Sequence, residues 1–204
     1  MLKMEKEKKI QERTIINRQK IIEAAKELFN TKGYYNTNTK EIAKLAGVST
    51  GSFYNYFPDK LEVFQEIMTT HINKNYSDFF ELIIKLEDQP EFARESLFTY
   101  IRTGMAAAYK SMVLFQDYDS IAMTNEALRD LVNDVSNKIM TALYTFCKES
   151  PHVKKRVSPL VMSQMTYFLV QGISEVLAKL PEDMDKSDYE EQLVDIAYWY
   201  LFGN

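Results

Sequence analysis

The chain has 204 residues, 46% of them hydrophobic and 26% charged, an ordinary balance for a globular protein with a substantial core. A single cysteine, Cys147, excludes an internal disulfide, and no apolar run approaches the roughly 18 residues of a membrane span. The net charge of −4 conceals an asymmetry: residues 1–60 hold 12 Lys and Arg against 7 Asp and Glu, whereas residues 61–204 hold 13 against 22. A basic head can sit on phosphate while an acidic body stays clear of it. Only 6 Gly and 5 Pro interrupt the chain, which favours long helices. The charged start, MLKMEKEKKIQER, does not read as a signal peptide, so a cytoplasmic protein with no membrane partner is expected.

Met1–Glu12 is a Lys- and Glu-rich arm, read first as a frayed, solvated turn or two and alternatively as an arm reaching phosphates or the minor groove. Arg13 and Arg18 lie nearer the folded part and are better placed for DNA. Thr14–Thr31 reads as the first helix, because Ile21, Ile22, Ala25, Leu28 and Phe29 recur at helical spacing and Gly33 follows as a stop.

The stretch Thr37–Lys60 reads as two short helices with a tight turn between them. Asn38 and Glu41 have the spacing of a capping box for the first helix, and Gly47 can take the positive φ that the turn needs. Ser49 can cap a second helix over Thr50–Phe57, closed by Pro58. This is a helix-turn-helix pattern, whose second helix commonly enters a DNA major groove. Phe53 and Phe57, four apart, are the expected inward face. Thr50, Ser52 and Asn55 are suited to base edges, with Asn matching adenine, whereas Tyr54, Tyr56 and Lys60 are suited to phosphate. Thr37, Thr39 and Ser49 flank the helix starts, with Thr37 and Thr39 expected on the DNA backbone. Gly51 costs a helix about 1 kcal/mol relative to Ala, which close approach of the backbone to phosphate would justify.

Asp59–Leu86 has neither Gly nor Pro and keeps one apolar face, so a long helix linking two domains, 1–58 and 59–204, is expected. Glu87–Pro90 is a break, and Glu91–Tyr109 is the next helix. Ser111–Thr124 has weaker periodicity and reads as one or two short helices; another helix runs from about Asn125 to Glu149. His152–Arg156 is a basic, solvated loop. Pro159–Leu180 and Ser187–Phe202 are the last two helices. Val161, Met165, Phe168, Gly172 and Val176 form a stripe on the first of them, and Ile196, Trp199 and Tyr200 lie in a segment apolar on nearly all sides. A helix apolar all round must be covered all round, and at a chain terminus a second subunit covers it most simply. The fold class expected is all-α.

The run Ile21–Phe29, Gly33-Tyr34, Thr37, Ile42-Ala43, Ala46-Gly47-Val48-Ser49, Gly51, Tyr54, Tyr56-Phe57 and Lys60 resembles the N-terminal domain of the TetR (tetracycline-repressor) family over about Arg18–Phe64. Thr50 stands where many members carry a basic residue and Asn55 where many carry an aromatic residue or His, which bears on the bases read. The resemblance implies a homodimer formed through the last two helices, a palindromic double-stranded operator, and a small-molecule effector held among the middle helices. Tyr76, Phe79, Phe80, Phe98, Met105, Tyr109, Phe115, Tyr118, Met140 and Tyr144 are the candidate pocket residues on that basis; taken alone, aromatics and Met at this spacing are usually core.

Other chemistry is disfavoured. Gly47–Gly51 matches the G-x-S-x-G nucleophile elbow, but that motif needs a strand before it, and the chain shows no strand pattern. The two histidines and one cysteine have no metal-ligand spacing, and no cofactor is expected. The reading is a non-enzymatic, ligand-released repressor. The alternatives are a helical protein-binding module, which the basic head argues against, and an activator or a regulator without a small ligand.

Overall fold

The computed structural model describes the backbone of residues 2–110, 112–178, 180–181 and 184–203, and the side chains among these except 2–11, 107–110, 112–116, 119 and 178. The described residues are all-α, with no strand: α1 (Leu2–Lys32), α2 (Thr39–Leu45), α3 (Thr50–Tyr54), α4 (Lys60–Asp88), α5 (Ala93–Lys110), α6 (Met112–Thr124), α7 (Glu126–Glu149), α8 (Pro159–Ala178) and α9 (Ser187–Phe202). A 3-10 turn, Pro90–Phe92, lies ahead of α5. One start and one end differ markedly from the expected ones. The first helix begins at Leu2 instead of Thr14, because Leu, Lys, Met, Glu and Gln are strong helix formers and nothing in the arm interrupts them. The second helix of the motif ends at Tyr54, and the chain turns through Asn55 and Tyr56 with Phe57 N–H still bonded to the Phe53 carbonyl at 3.0 Å.

The chain forms two compact units. One comprises Met1–His71 and Val113–Leu128; the other comprises Ile72–Met112 and Arg129–Asn204. The start of α4 and most of α6 thus fall in the same unit as the helix-turn-helix, unlike a division after Pro58. The core of this first unit is aromatic. Phe29 lies 5.5 Å from Tyr34 and 5.8 Å from Phe64, ring centre to ring centre, and Phe53 and Phe57 are fully buried as their spacing predicts. Burying such rings contributes about 1.5–3 kcal/mol each, so the short helices α2 and α3, too short to persist alone, are held by packing.

In the second unit, Phe79, Leu82 and Leu86 of α4, Leu97, Ile101 and Met105 of α5, and Leu193, Val194 and Leu201 of α9 share one core. Arg94 of α5 pairs with Asp195 of α9 at 2.6 Å across its surface. Cys147 is fully buried there, and burial raises its thiol pKa to about 11, which suits a packing residue and not a redox sensor. Arg156, in the expected basic loop, lies 4.3 Å over the Trp199 ring and donates to the Gly203 carbonyl, so it closes the C-terminus of α9.

Candidate nucleic-acid interface

Local chemistry fixes the geometry of α2 and α3. Asn38 Oδ1 accepts from the Glu41 N–H at 3.1 Å, and Glu41 Oε2 accepts from the Asn38 N–H at 3.1 Å, the full capping box. Glu41 also pairs with Lys32 at 2.6 Å; that hydrogen bond, then the Asn38 N–H, holds its carboxyl below the usual range. Gly47 adopts φ +69° in the turn, a conformation that a side chain would strain. Ser49 Oγ caps α3 by accepting from the Ser52 N–H at 3.0 Å.

On this frame α3 presents Gly51, Tyr54 and the following Asn55 as exposed residues, with Thr50, Ser52 and Tyr56 half-buried and Ser49 exposed at the helix start. The helix carries no charge. Hydroxyls on and beside it form three separate pairs: Tyr54 OH lies 3.0 Å from Thr39 Oγ1, Ser49 Oγ lies 2.8 Å from Ser52 Oγ, and Tyr56 OH accepts from Asn17 Nδ2 at 3.4 Å. These bonds preorient the phenols and leave lone pairs and protons for a ligand. A Cβ placed on Gly51 would meet nothing nearer than Ser49 Oγ at 4.0 Å, so nothing inside the protein requires glycine there. Exposed Lys40 and Lys44 on α2 are further cations of the motif that the sequence reading did not single out; their position between two glycine-containing turns was the available signal.

Three expected contacts are revised. Thr37 is 2% exposed, and its hydroxyl donates to the Gly33 carbonyl at 2.8 Å, so it builds the turn before α2 and does not face a partner. Lys60 Nζ donates to the carbonyls of Tyr34 at 2.7 Å and Thr37 at 2.8 Å and lies 4.1 Å from the Tyr34 ring centre. Desolvation lowers its pKa. Two of its three protons thus stay within the protein. Arg18 pairs with both carboxylate oxygens of Glu66 and lies 4.7 Å over the Phe57 ring, bracing α1 against α4.

The candidate effector residues separate. Phe79 and Met105 lie in the packed core of the second unit; Tyr76, Phe98 and Met140 are half-buried, and Phe80 and Tyr144 are 41% and 37% exposed. Tyr118 belongs to the other unit, and the side chains of Tyr109 and Phe115 lie outside the described residues. A polar seam was missed: half-buried Tyr100, its pKa pushed up to about 12 by desolvation and then by Asp78, lies beside Tyr167, whose hydroxyl donates to Ser136 Oγ at 3.4 Å. One carboxylate and three hydroxyls scattered over four helices give no sequence pattern. The last two helices leave an apolar face uncovered in the single chain. Met165, Phe168, Val176 and Trp199 are 56–61% exposed, Val161 and Ile196 are 40% and 46%, Gly172 is exposed, and Tyr200 is half-buried. Leu160 and Tyr189 extend it. Among the described residues no three His, Cys, Asp or Glu side chains converge as a metal site, and no helix is long and apolar enough to cross a membrane.

Residues 21–67 match the family model "Bacterial regulatory proteins, tetR family". The chain is 27% identical over 180 residues to the uncharacterised HTH-type transcriptional regulator YuxN of Bacillus subtilis, covering 86% of this chain and 58% of that protein's length. Its fold superposes on that of a TetR-family regulator from Mesorhizobium loti with TM-score 0.73, at 18% identity over 93% of this chain and 98% of the other. It also superposes on Thermus thermophilus FadR, a TetR-family transcriptional repressor solved in complex with lauroyl-CoA, with TM-score 0.53 at 21% identity, covering 88% and 92% of the two chains.

Proposed function

We propose that the chain is a TetR-family transcriptional regulator, a reading supported by the match of residues 21–67 and by the similar fold, and that it is a repressor which binds a palindromic operator as a homodimer and leaves it when a small, largely apolar or aromatic molecule binds. The observation that carries DNA reading is α3 itself: a charge-free helix with exposed Tyr54, Asn55 and Gly51, anchored from behind by fully buried Phe53 and Phe57. Uncharged donors and acceptors on a rigid helix suit base edges, while exposed Lys40 and Lys44 supply attraction to phosphate.

A second copy fits the uncovered face of α8 and α9. That face is apolar, contiguous along the Val161–Val176 stripe, and has Gly172 at its middle, where a Cβ would meet nothing within 4 Å of the same chain. Dimerisation would present two recognition helices to successive major grooves, about 34–36 Å apart. The aromatic and Met residues of the second unit, with the Tyr100–Tyr167 seam, supply an apolar body and a few hydroxyls for an effector. Helix α4 runs unbroken through both units and is one route for the response. Release requires that the effector favour the non-binding conformation; equal affinity for both would shift nothing.

Selection of genomic DNA by the purified protein, followed by anisotropy at several salt concentrations, tests this reading. A palindromic winner bound by dimers with a steep salt dependence supports it. Weak binding that ignores sequence refutes it.

A further inference from the structure

The turn between α1 and α2 is held from three sides. Its own chain supplies the first: Gly33 at φ +82°, the Thr37 hydroxyl on the Gly33 carbonyl, and the Thr37 N–H on the Tyr34 carbonyl at 3.2 Å. Helix α4 supplies the second, through Lys60 Nζ on the Tyr34 and Thr37 carbonyls. The third side comes from α6, more than 80 residues away in sequence. Asp117 Oδ2 accepts from the Tyr34 N–H at 2.6 Å, and Ser120 Oγ lies 2.9 Å from the Tyr35 hydroxyl. Ser120 Oγ also donates to the Asp117 carbonyl at 2.9 Å, tying the two contacts together.

These contacts have unequal weight. Tyr35 is 60% exposed, so water can replace Ser120. Tyr34 is 9% exposed, with its ring against Phe29 and Phe64, so its N–H has poor access to water once Asp117 is gone. The Asp117 carboxylate also attracts the Lys60 ammonium. Asp117 therefore acts on both the donor and the acceptor sides of one peptide segment, and that segment leads within four residues to Asn38, the cap of α2.

We propose that Asp117 is a positioning residue for DNA recognition: through the Tyr34 N–H and the Lys60 ammonium, α6 sets the turn from which α2 and α3 start, and so sets the placement of the reading helix. Asp117 itself touches no DNA in this scheme, and the proposal rests on the DNA-binding reading above. It makes α6 a second line of communication to the helix-turn-helix beside α4, one that acts on the entry to the motif.

The test uses the full-length protein, with Asp117→Ala and Asp117→Asn. Asn keeps an oxygen able to accept from the Tyr34 N–H and loses the charge facing Lys60. Hydrogen exchange of the Tyr34–Asn38 amides reads the turn directly, with no DNA present. Affinity is then measured on the selected operator and on versions with the half-sites one base pair nearer and farther. The expectation for Asp117→Ala is at least tenfold faster exchange at Tyr34, weaker operator binding at an unchanged salt slope, and reduced discrimination between half-site spacings; Asp117→Asn should lie between it and the wild type. Unchanged exchange overturns the hold of Asp117 on the turn. Faster exchange with spacing discrimination intact overturns the positioning role and leaves a contact of stability alone. A wild-type protein that binds no operator overturns the DNA-binding reading and this role with it, and that result is read before any variant is compared.

Discussion

Gly51→Ala separates stability from recognition. Gly51 is in a helix, its φ is not in the positive region, and an added Cβ has 4.0 Å of clearance from the nearest atom outside its chain neighbours. Alanine should therefore stabilise the free protein by up to about 1 kcal/mol, raising Tm by roughly 2–4 °C for a chain of this size. If glycine is there to let the backbone meet a phosphate, the methyl group displaces that contact. A hydrogen bond to a charged group is worth about 1.5–3 kcal/mol, so operator affinity should fall about 10- to 100-fold per recognition helix. Thermal melting of the free protein and anisotropy with the selected operator read the two effects independently. A variant that melts higher and binds as well as the wild type would refute close approach at Gly51. One that melts lower would refute the claim that the protein interior leaves room for the methyl group.

Asn55→Ala should relax base preference at one or two positions per half-site, by about 1–3 kcal/mol, with little change elsewhere; a selection profile identical to wild type would remove Asn55 from base reading. Phe168→Glu puts a charge on a side chain that is 61% exposed in one chain, so the fold should survive while the dimer dissociates; light scattering showing an unchanged dimer would relocate the interface. Glu41 is held below its ordinary pKa of 4.5 by Lys32 and the Asn38 N–H. Its contribution to stability is complete above that value and is lost as pH falls through the lowered one. The Tm advantage of wild type over Glu41→Gln should therefore shrink on acidification below 4.5 and disappear at lower pH; a difference independent of pH would contradict the ion pair.

What the sequence revealed follows the range of the interactions concerned. The capping box of Asn38 and Glu41, the turn at Gly47, the Ser49 cap and the inward pair Phe53 and Phe57 are set within four residues, and all are present. The bonds of Thr37 and Lys60 to the turn before α2 were not legible because their partners are backbone carbonyls, which no residue type advertises. The early start of α1 was missed for another reason: a Lys- and Glu-rich helix has no apolar stripe to signal it. The placement of Asp117 against Tyr34 depends on a fold closed over a sequence separation of 83.

The division into two units gives these long-range contacts their meaning. A reading head built only from residues 1–58 would be joined to the rest of the chain by one helix, and any signal would have to pass along it. Instead the head incorporates Val113–Leu128, whose flanking segments both belong to the other unit. The chain thus passes between units within α4, before Val113 and after Leu128. Within the head, Ile121 and Leu128 are buried and Asp117 holds the turn before α2. Asp117→Ala removes a hold on the turn within the head without cutting the chain, so the variant should lose selectivity for half-site spacing more than it loses stability. Sensitivity to the disposition of two heads, and not to the fold of either, is what a spacing series measures.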